Sequence, residues 1–232
     1  MDNLTTLTIT AASIAFLHTV FGPDHYLPFI VMAKARKWSI YKTTWVTALS
    51  GLGHVLSSVL LGATGIAVGI GLNRLEVVES TRGDLAAWLF VIFGFGYMLW
   101  GIYRGIRNKP HKHIHHHPDG TVHLHEHVHE DQHDHIHKAN ITPWILFTIF
   151  FLGPCEPLIP ILMYPASQNS TWGIAQVSII FSVVTILTML GLVLLASYGF
   201  SLVKLGRMER YMHAIAGAAI FLSGIAILFL GL

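Results

Sequence analysis

Four short patterns in this chain carry residues that bind metals or protons. His18 is followed after five residues by Asp24-His25, with Gly22-Pro23 inside that gap. Farther on come Gly153-Pro154-Cys155-Glu156-Pro157 and an isolated His54 flanked by Ser50, Ser57 and Ser58. The fourth is the stretch 111–137, which holds twelve of the sixteen histidines. Imidazole, carboxylate and thiolate together suit a borderline dication such as Ni2+, Co2+ or Zn2+ better than Mg2+ or Ca2+. The same groups take up protons, so metal held by them can exchange against protons. His18 and His25 are seven residues apart, two helical turns, and so share nearly one face. The candidate ligands of an intramembrane transport site are therefore His18, Asp24, His25, His54, Cys155 and Glu156. Blander readings stay open: Asp24 and His25 as a polar pair tying two helices, His54 as a structural histidine, Cys155 as a small buried hydrophobe.

These residues lie in an apolar background. Of 232 residues, 53% are hydrophobic and only 11% charged, with a mean hydropathy of +0.59. A soluble domain carries roughly twice that charge. Six apolar segments stand out, at about 4–33, 42–72, 84–105, 142–167, 171–200 and 211–231, each long enough to cross a bilayer as a helix. A soluble enzyme and a nucleic-acid binder are excluded, and the expected class is an all-α, multi-pass membrane protein without enzymatic activity. Twelve of the fourteen basic residues fall in three connections, around 34–42, 104–138 and 204–210; Arg74 and Arg82 share a fourth with Glu76, Glu79 and Asp84. The basic excess belongs on the cytoplasmic side, which places both termini outside, in a cell inner membrane. Met1-Asp2-Asn3 lacks a basic n-region, so no cleavable signal peptide is expected. The lone Cys155 excludes an in-chain disulfide or dithiol pair.

The two halves of the chain resemble each other. Gly22-Pro23-Asp24-His25 with Pro28 and Met32 parallels Gly153-Pro154-Cys155-Glu156 with Pro157, Pro160 and Met163. Thr44-Trp45 parallels Thr171-Trp172, and Gly94, Leu99, Gly101 and Ile102 match Gly217, Leu222, Gly224 and Ile225 at identical spacing. Three spans per copy is an odd number, so the second copy must be inverted, a pattern of secondary transporters. The expected organisation is a first three-helix repeat at 1–106, a histidine-rich loop at 107–140 and a second repeat at 141–232. Gly22, Pro23, Pro28, Gly153, Pro154, Pro157 and Pro160 are the expected helix breaks, because proline lacks the N–H that the preceding turn needs. Freed carbonyls at membrane depth are tolerated where they line a cavity or bind something. An ionised group there costs about 2.5–3.5 kcal/mol, so a cluster needs a partner.

The loop should be cytosolic and without a packed core, since its composition cannot supply one. His111, His113, His115, His116, His117, His123, His125, His127, His129, His133, His135 and His137 are expected to bind metal weakly in many registers. Two matches to H-E-x-x-H in it, from His125 and from His129, follow from histidine density alone and do not indicate a protease.

Taken together, the His18, Asp24-His25 motif, the Gly-Pro-Cys motif and the histidine-rich loop between three-span halves resemble the NicO-type nickel/cobalt transporters. They also resemble the UreH-like urease-accessory membrane proteins, within the wider LysE-like superfamily. That resemblance implies a secondary transporter of Ni2+ or Co2+, ahead of Zn2+. Export from the cytosol against protons is the expected direction, because a cytosolic loop gathers metal on that side. Another branch of the superfamily carries electrons through paired intramembrane cysteines, which a chain with Cys155 alone cannot do by itself. Rival readings are a metal-holding accessory for urease or hydrogenase maturation and a transporter of another small substrate. The expected partners are the bilayer and the metal ion, with no nucleic acid; self-association is compatible with such a body.

Overall fold

The computed structural model describes residues 3–107, 111–116, 122–127, 141–168, 170–202 and 206–230. Its membrane-embedded body is helical. α1 (Asn3–Phe21) stops at Gly22, whose backbone is extended (φ −89°, ψ 90°) because Pro23 follows it. A 3₁₀ turn, Pro23–His25, leads into α2 (Leu27–Ala35), and the two limbs meet at 81°. α3 (Ile40–Ala67) is capped by Ser39, whose Oγ accepts from the Lys42 N–H at 3.2 Å. α4 (Leu72–Arg107) has 36 residues. After the histidine-rich connection come α5 (Thr142–Leu152), α6 (Leu158–Ser167), α7 (Thr171–Leu202), a 3₁₀ segment Gly206–Tyr211, and α8 (Met212–Leu230).

Among the described residues, four helices are long and apolar enough to cross a membrane: α3, α4, α7, and α8 with the turn before it; the bent α1–α2 pair brings the number to at most five. The first and fourth expected spans are each broken at a Gly-Pro pair, Gly22-Pro23 and Gly153-Pro154. There the chain forms two limbs on either side of the break, of 19 and 9 residues at the first; at the second, α5 and α6, at 11 and 10 residues, are each too short to cross alone. Pro28 and Pro160 do not interrupt helices as expected. They sit in the first turns of α2 and α6, where a missing N–H leaves nothing unpaired. α4 begins twelve residues before the expected start at 84, so Glu79 and Arg82 belong to a helix and not to a connection.

The outward surface of the body is what a bilayer requires: Trp45, Leu60, Ile92, Trp144, Trp172, Leu195 and Phe229 are all more than half exposed. Inside, one apolar cluster gathers Phe29, Met32, Phe90, Phe150, Met189 and Val193, and a second gathers Ala15, Val55, Cys155, Leu158 and Phe181. α1 packs on α7, α3 packs on α5 and α6, and the largest contact joins α4 to α8.

That last contact runs along the glycines shared by the two halves. A Cβ on Gly94 would lie 2.3 Å from Phe221 N, and one on Gly217 would lie 2.2 Å from Met98 N. Gly101 meets Ala214 and Gly224 meets Val91 in the same way, with backbone atoms 2.2 and 2.8 Å from an added Cβ. Gly94 and Gly217, Gly101 and Gly224, and Val91 and Ala214 are each separated by 123 positions, so the contacts are reciprocal. Small residues let membrane helices approach this closely. Gly217→Val must force α4 and α8 apart. The expected outcome is a protein that loses its folded form in mild detergent at least about 10 °C below wild type, read by size-exclusion after heating, consistent with overpacking costs of about 1–3 kcal/mol or more. A wild-type melting profile would show that the seam is not under this constraint.

In the histidine-rich connection, β1 (His111–His116) and β2 (Val122–His127) pair antiparallel, His113 opposite His125. The expected metal binding by the loop histidines falls on side chains outside the described residues.

Candidate metal centre

Both helix breaks deliver polar residues to one place. His18 comes from the last turn of α1, Asp24 and His25 from the 3₁₀ turn, His54 from the middle of α3, and Cys155 from the break between α5 and α6. One ligating atom each from His18, His54 and Cys155 lies within 4.8 Å of the other two. The His25 ring stands between the other imidazoles, its centroid 4.6 Å from that of His18 and 5.0 Å from that of His54, edge to face with both. His25, His54 and Cys155 are almost wholly buried.

The hydrogen bonds decide which nitrogens are available. His54 Nδ1 is 3.3 Å from the Phe150 carbonyl oxygen, and His25 Nδ1 is 3.2 Å from both the Gly22 carbonyl oxygen and Asp24 Oδ1. These neighbours accept, so Nδ1 carries a proton in each ring; in His54, which faces only a neutral carbonyl, Nε2 keeps its lone pair. The Nε2 atoms of His18, His25 and His54 are all buried without a hydrogen-bond partner. Three buried imidazole Nε2 atoms without partners lie near a thiol, and two of the rings are oriented through Nδ1 by carbonyls, the kind of second contact that orients a histidine ligand. Donors around one tetrahedral ion at bonds of 2.0–2.3 Å stand about 3.3–3.8 Å apart. The separation within the triad, up to 4.8 Å, is of the same order as that spacing. Asp24 beside His25 would supply negative charge to a cation held there.

Sequence reasoning missed the wall behind Cys155. Arg82, inside α4, donates from one terminal nitrogen to Ser57 Oγ at 2.6 Å, the Phe151 carbonyl at 3.1 Å and the Gly153 carbonyl at 3.3 Å. Its other terminal nitrogen donates to Glu79 Oε1 at 2.8 Å. Glu79 is 1% exposed and its Oε2 has no partner. The guanidinium thus satisfies the carbonyls that α5 leaves open where Pro154 ends it. The Cys155 N–H donates to Ser58 Oγ at 3.2 Å, which fixes the cysteine against α3. The stretch 72–83 read as a connection because it is charged. A usable signal was present: Leu75, Glu79, Gly83, Ala86, Phe90 and Gly94 recur every three or four residues, and all are buried.

A cavity of about 480 Å³ reaches the site; His18, Asp24, His25 and His54 line it together with the exposed Asp84 and Glu156. Its lining also includes Ser80 of α4 and Ile227 and Leu228 of α8, the ends of those helices remote from the basic connections. Glu156 therefore faces the cavity and is not among the atoms that His18, His54 and Cys155 bring together.

Residues 27–226 match the family described as the cytochrome c biogenesis protein transmembrane region. The chain belongs to that family. The match covers most of the chain, including His54, Arg82 and Cys155, and begins just after His18, Asp24 and His25. It corrects the resemblance to nickel/cobalt transporters and UreH-like accessory proteins, since the matched family is a different one. The short motifs behind that resemblance, His18 with Asp24-His25 and Gly-Pro-Cys, describe a broken helix with ligands more than they describe a family. No curated protein and no solved structure matches the chain. Membership agrees with the long apolar helices: this is a multi-pass membrane protein.

Proposed function

We propose that this member of the family is a secondary transporter that passes a divalent transition metal across the membrane through the His18, His54 and Cys155 centre, with His25 and Asp24 completing the site. The metal is the substrate. The observation that carries this reading is the convergence of three partnerless imidazole Nε2 atoms and one thiol at two helix breaks in a bilayer-embedded body. Leaving such groups bare in an apolar interior is unfavourable, and a dication accounts for all of them at once. The reciprocal glycine contacts of α4 and α8 and the paired helix breaks support two inverted repeats around a central site. The basic connections mark the cytoplasmic face. The histidine-rich segment on that face favours export, with Ni2+, Co2+ and Zn2+ all compatible with the donor set.

The test is the nickel, cobalt and zinc content of cells expressing the wild-type chain, His54→Ala, or a chain lacking 111–137. Wild type is expected to lower at least one metal by about twofold or more and His54→Ala to lower none, since losing one of three ligands removes the site. The loop deletion should keep transport but require more cytosolic metal. Equal metal content in the wild-type and His54→Ala cells would end the transport reading.

The family description favours a second reading, a role for the Cys155 thiol in cytochrome c biogenesis. A single thiol would have to exchange with a partner protein's cysteine. On that reading Cys155→Ser lowers c-type cytochrome content while His54→Ala leaves it unchanged. On the metal reading both substitutions abolish metal movement together.

A further inference from the structure

Hydroxyl side chains in this body follow one habit, and three buried ones depart from it. Thr19, Thr43, Thr148, Ser178, Ser182 and Ser223 each donate to the carbonyl four residues back in their own helix, the usual way a hydroxyl settles in an apolar helix. Thr47, Ser50 and Thr185, at 1%, 0% and 0% exposure, have no hydrogen-bond partner for their side-chain oxygens. A fully buried hydroxyl left unpaired is unfavourable, and three together call for a common cause.

Their placement supplies it. Thr43, Thr47, Ser50, His54 and Ser58 recur every three or four residues, so they form one stripe on α3 from the end near Lys42 up to the metal centre. α7 faces this stripe: a Cβ on Gly51 would lie 3.1 Å from Met189 Sδ and 3.4 Å from Ile186 Cγ1. Thr185, Met189, Val193 and Ser197 follow one another at four-residue steps on α7, and Ser197 Oγ also lacks a partner. Alongside the stripe, Phe29, Met32, Met189 and Val193 are 0% exposed within one apolar cluster. At the basic face the Lys34 ammonium donates to the Phe200 carbonyl at 2.9 Å, joining the ends of α2 and α7. The known cavity reaches the histidines from the other end.

We propose that Thr47, Ser50 and Thr185 line the second half of the ion's path, shut in this conformation by Phe29, Met32, Met189 and Val193, and that water and the hydrated dication occupy it when those residues part. This rests on the transport reading. Alternating access requires one open and one closed half around a fixed site. Backbone carbonyls and hydroxyls are suited to a path because they bind a dication weakly enough to release it, unlike the imidazole–thiol centre.

The experiment is thiol accessibility in membrane vesicles with the basic face outward. Thr47→Cys, Ser50→Cys, Thr185→Cys and the lipid-facing Leu52→Cys are treated with a membrane-impermeant quaternary-ammonium methanethiosulfonate; the wild-type chain, with Cys155 alone, is the blank. The three path positions should react at least about tenfold faster than Leu52→Cys, because only a water-filled route carries a charged reagent to membrane depth. Reaction no faster than at Leu52→Cys, or reaction only from the opposite face, overturns the path. A double substitution, Thr47→Val with Thr185→Val, keeps shape and removes the hydroxyls. It should slow zinc transport into vesicles about fivefold or more with zinc affinity unchanged, since it alters the route and not the site. Wild-type transport rates in it would also overturn the path. Wild-type vesicles are assayed in parallel: if they move no metal, the transport reading fails, whereas labelling at the Leu52→Cys rate removes the path alone.

Discussion

His54→Ala is expected to lower the zinc affinity of the purified protein by at least about 100-fold, the loss that follows from removing a ligand rather than a supporting contact. His54 is the best-prepared donor in the centre. Its Nδ1 proton is taken by the Phe150 carbonyl, so Nε2 is held with its lone pair available and pays no tautomer change on binding. Removing it leaves His18 and Cys155 from the triad, with His25 alongside. Glu156→Gln, by contrast, should change affinity less than about threefold, because an exposed carboxylate on the cavity wall acts through a screened field. Protons compete for the same lone pairs, so wild-type affinity must fall as pH is lowered. Competition against a chelator of known affinity checks all three statements. Zinc binding by His54→Ala at wild-type strength would remove the centre, whatever the transport assays show.

The parts of this centre that were legible in the sequence are those whose chemistry and local structure coincide. Gly22-Pro23 and Gly153-Pro154 end helices for reasons confined to a few atoms, so the breaks were readable, as were Asp24, His25 and Cys155 beside them. His18 was picked out by its two-turn spacing to His25, but the chain breaks between them at Gly22, and the two rings meet across that break and not along one helical face. Pro28 and Pro160 act otherwise than expected because proline's effect depends on where a helix starts, and α2 and α6 each start five residues after the break glycine, at Leu27 and Leu158. The proposed role of His54 rests on the Phe150 carbonyl, 96 positions away, which no local pattern reveals. Glu79 and Arg82 were hidden by their charge, since hydropathy assigns a charged stretch to a connection unless the two charges are known to satisfy each other inside. The family was not legible in the motifs. Its match begins after the first-helix motif and spreads from α2 into α8, mostly over apolar residues that are individually ordinary.

Arg82→Ala should be the most damaging single substitution to the fold, at about 3–5 kcal/mol, the range for removing one partner of a buried ion pair. The Arg82 side chain is 18% exposed and that of Glu79 only 2%, so alanine would strand a carboxylate whose Oε2 already lacks a partner. It would also reopen the Phe151 and Gly153 carbonyls at the end of α5. The charge and the carbonyls can be separated. Glu79→Gln removes the charge and leaves Arg82 with Ser57 and both carbonyls, so it should cost about 1–2 kcal/mol. The double substitution Glu79→Gln with Arg82→Met should be less destabilised than Arg82→Ala alone, because no uncompensated charge stays buried. It should still bind zinc about 10-fold or more weakly than wild type, since the Gly153–Cys155 break has lost its anchor and supporting contacts carry that much of a site's affinity. Reversible unfolding in mixed detergent measures the stability order, and chelator competition on the folded fraction measures the affinity. If the double variant proves as unstable as Arg82→Ala, the carbonyls of the α5 break, and not the Glu79 charge, are what Arg82 is there to satisfy. If Arg82→Ala keeps wild-type stability and zinc affinity, the guanidinium positions nothing and Cys155 is held by Ser58 alone.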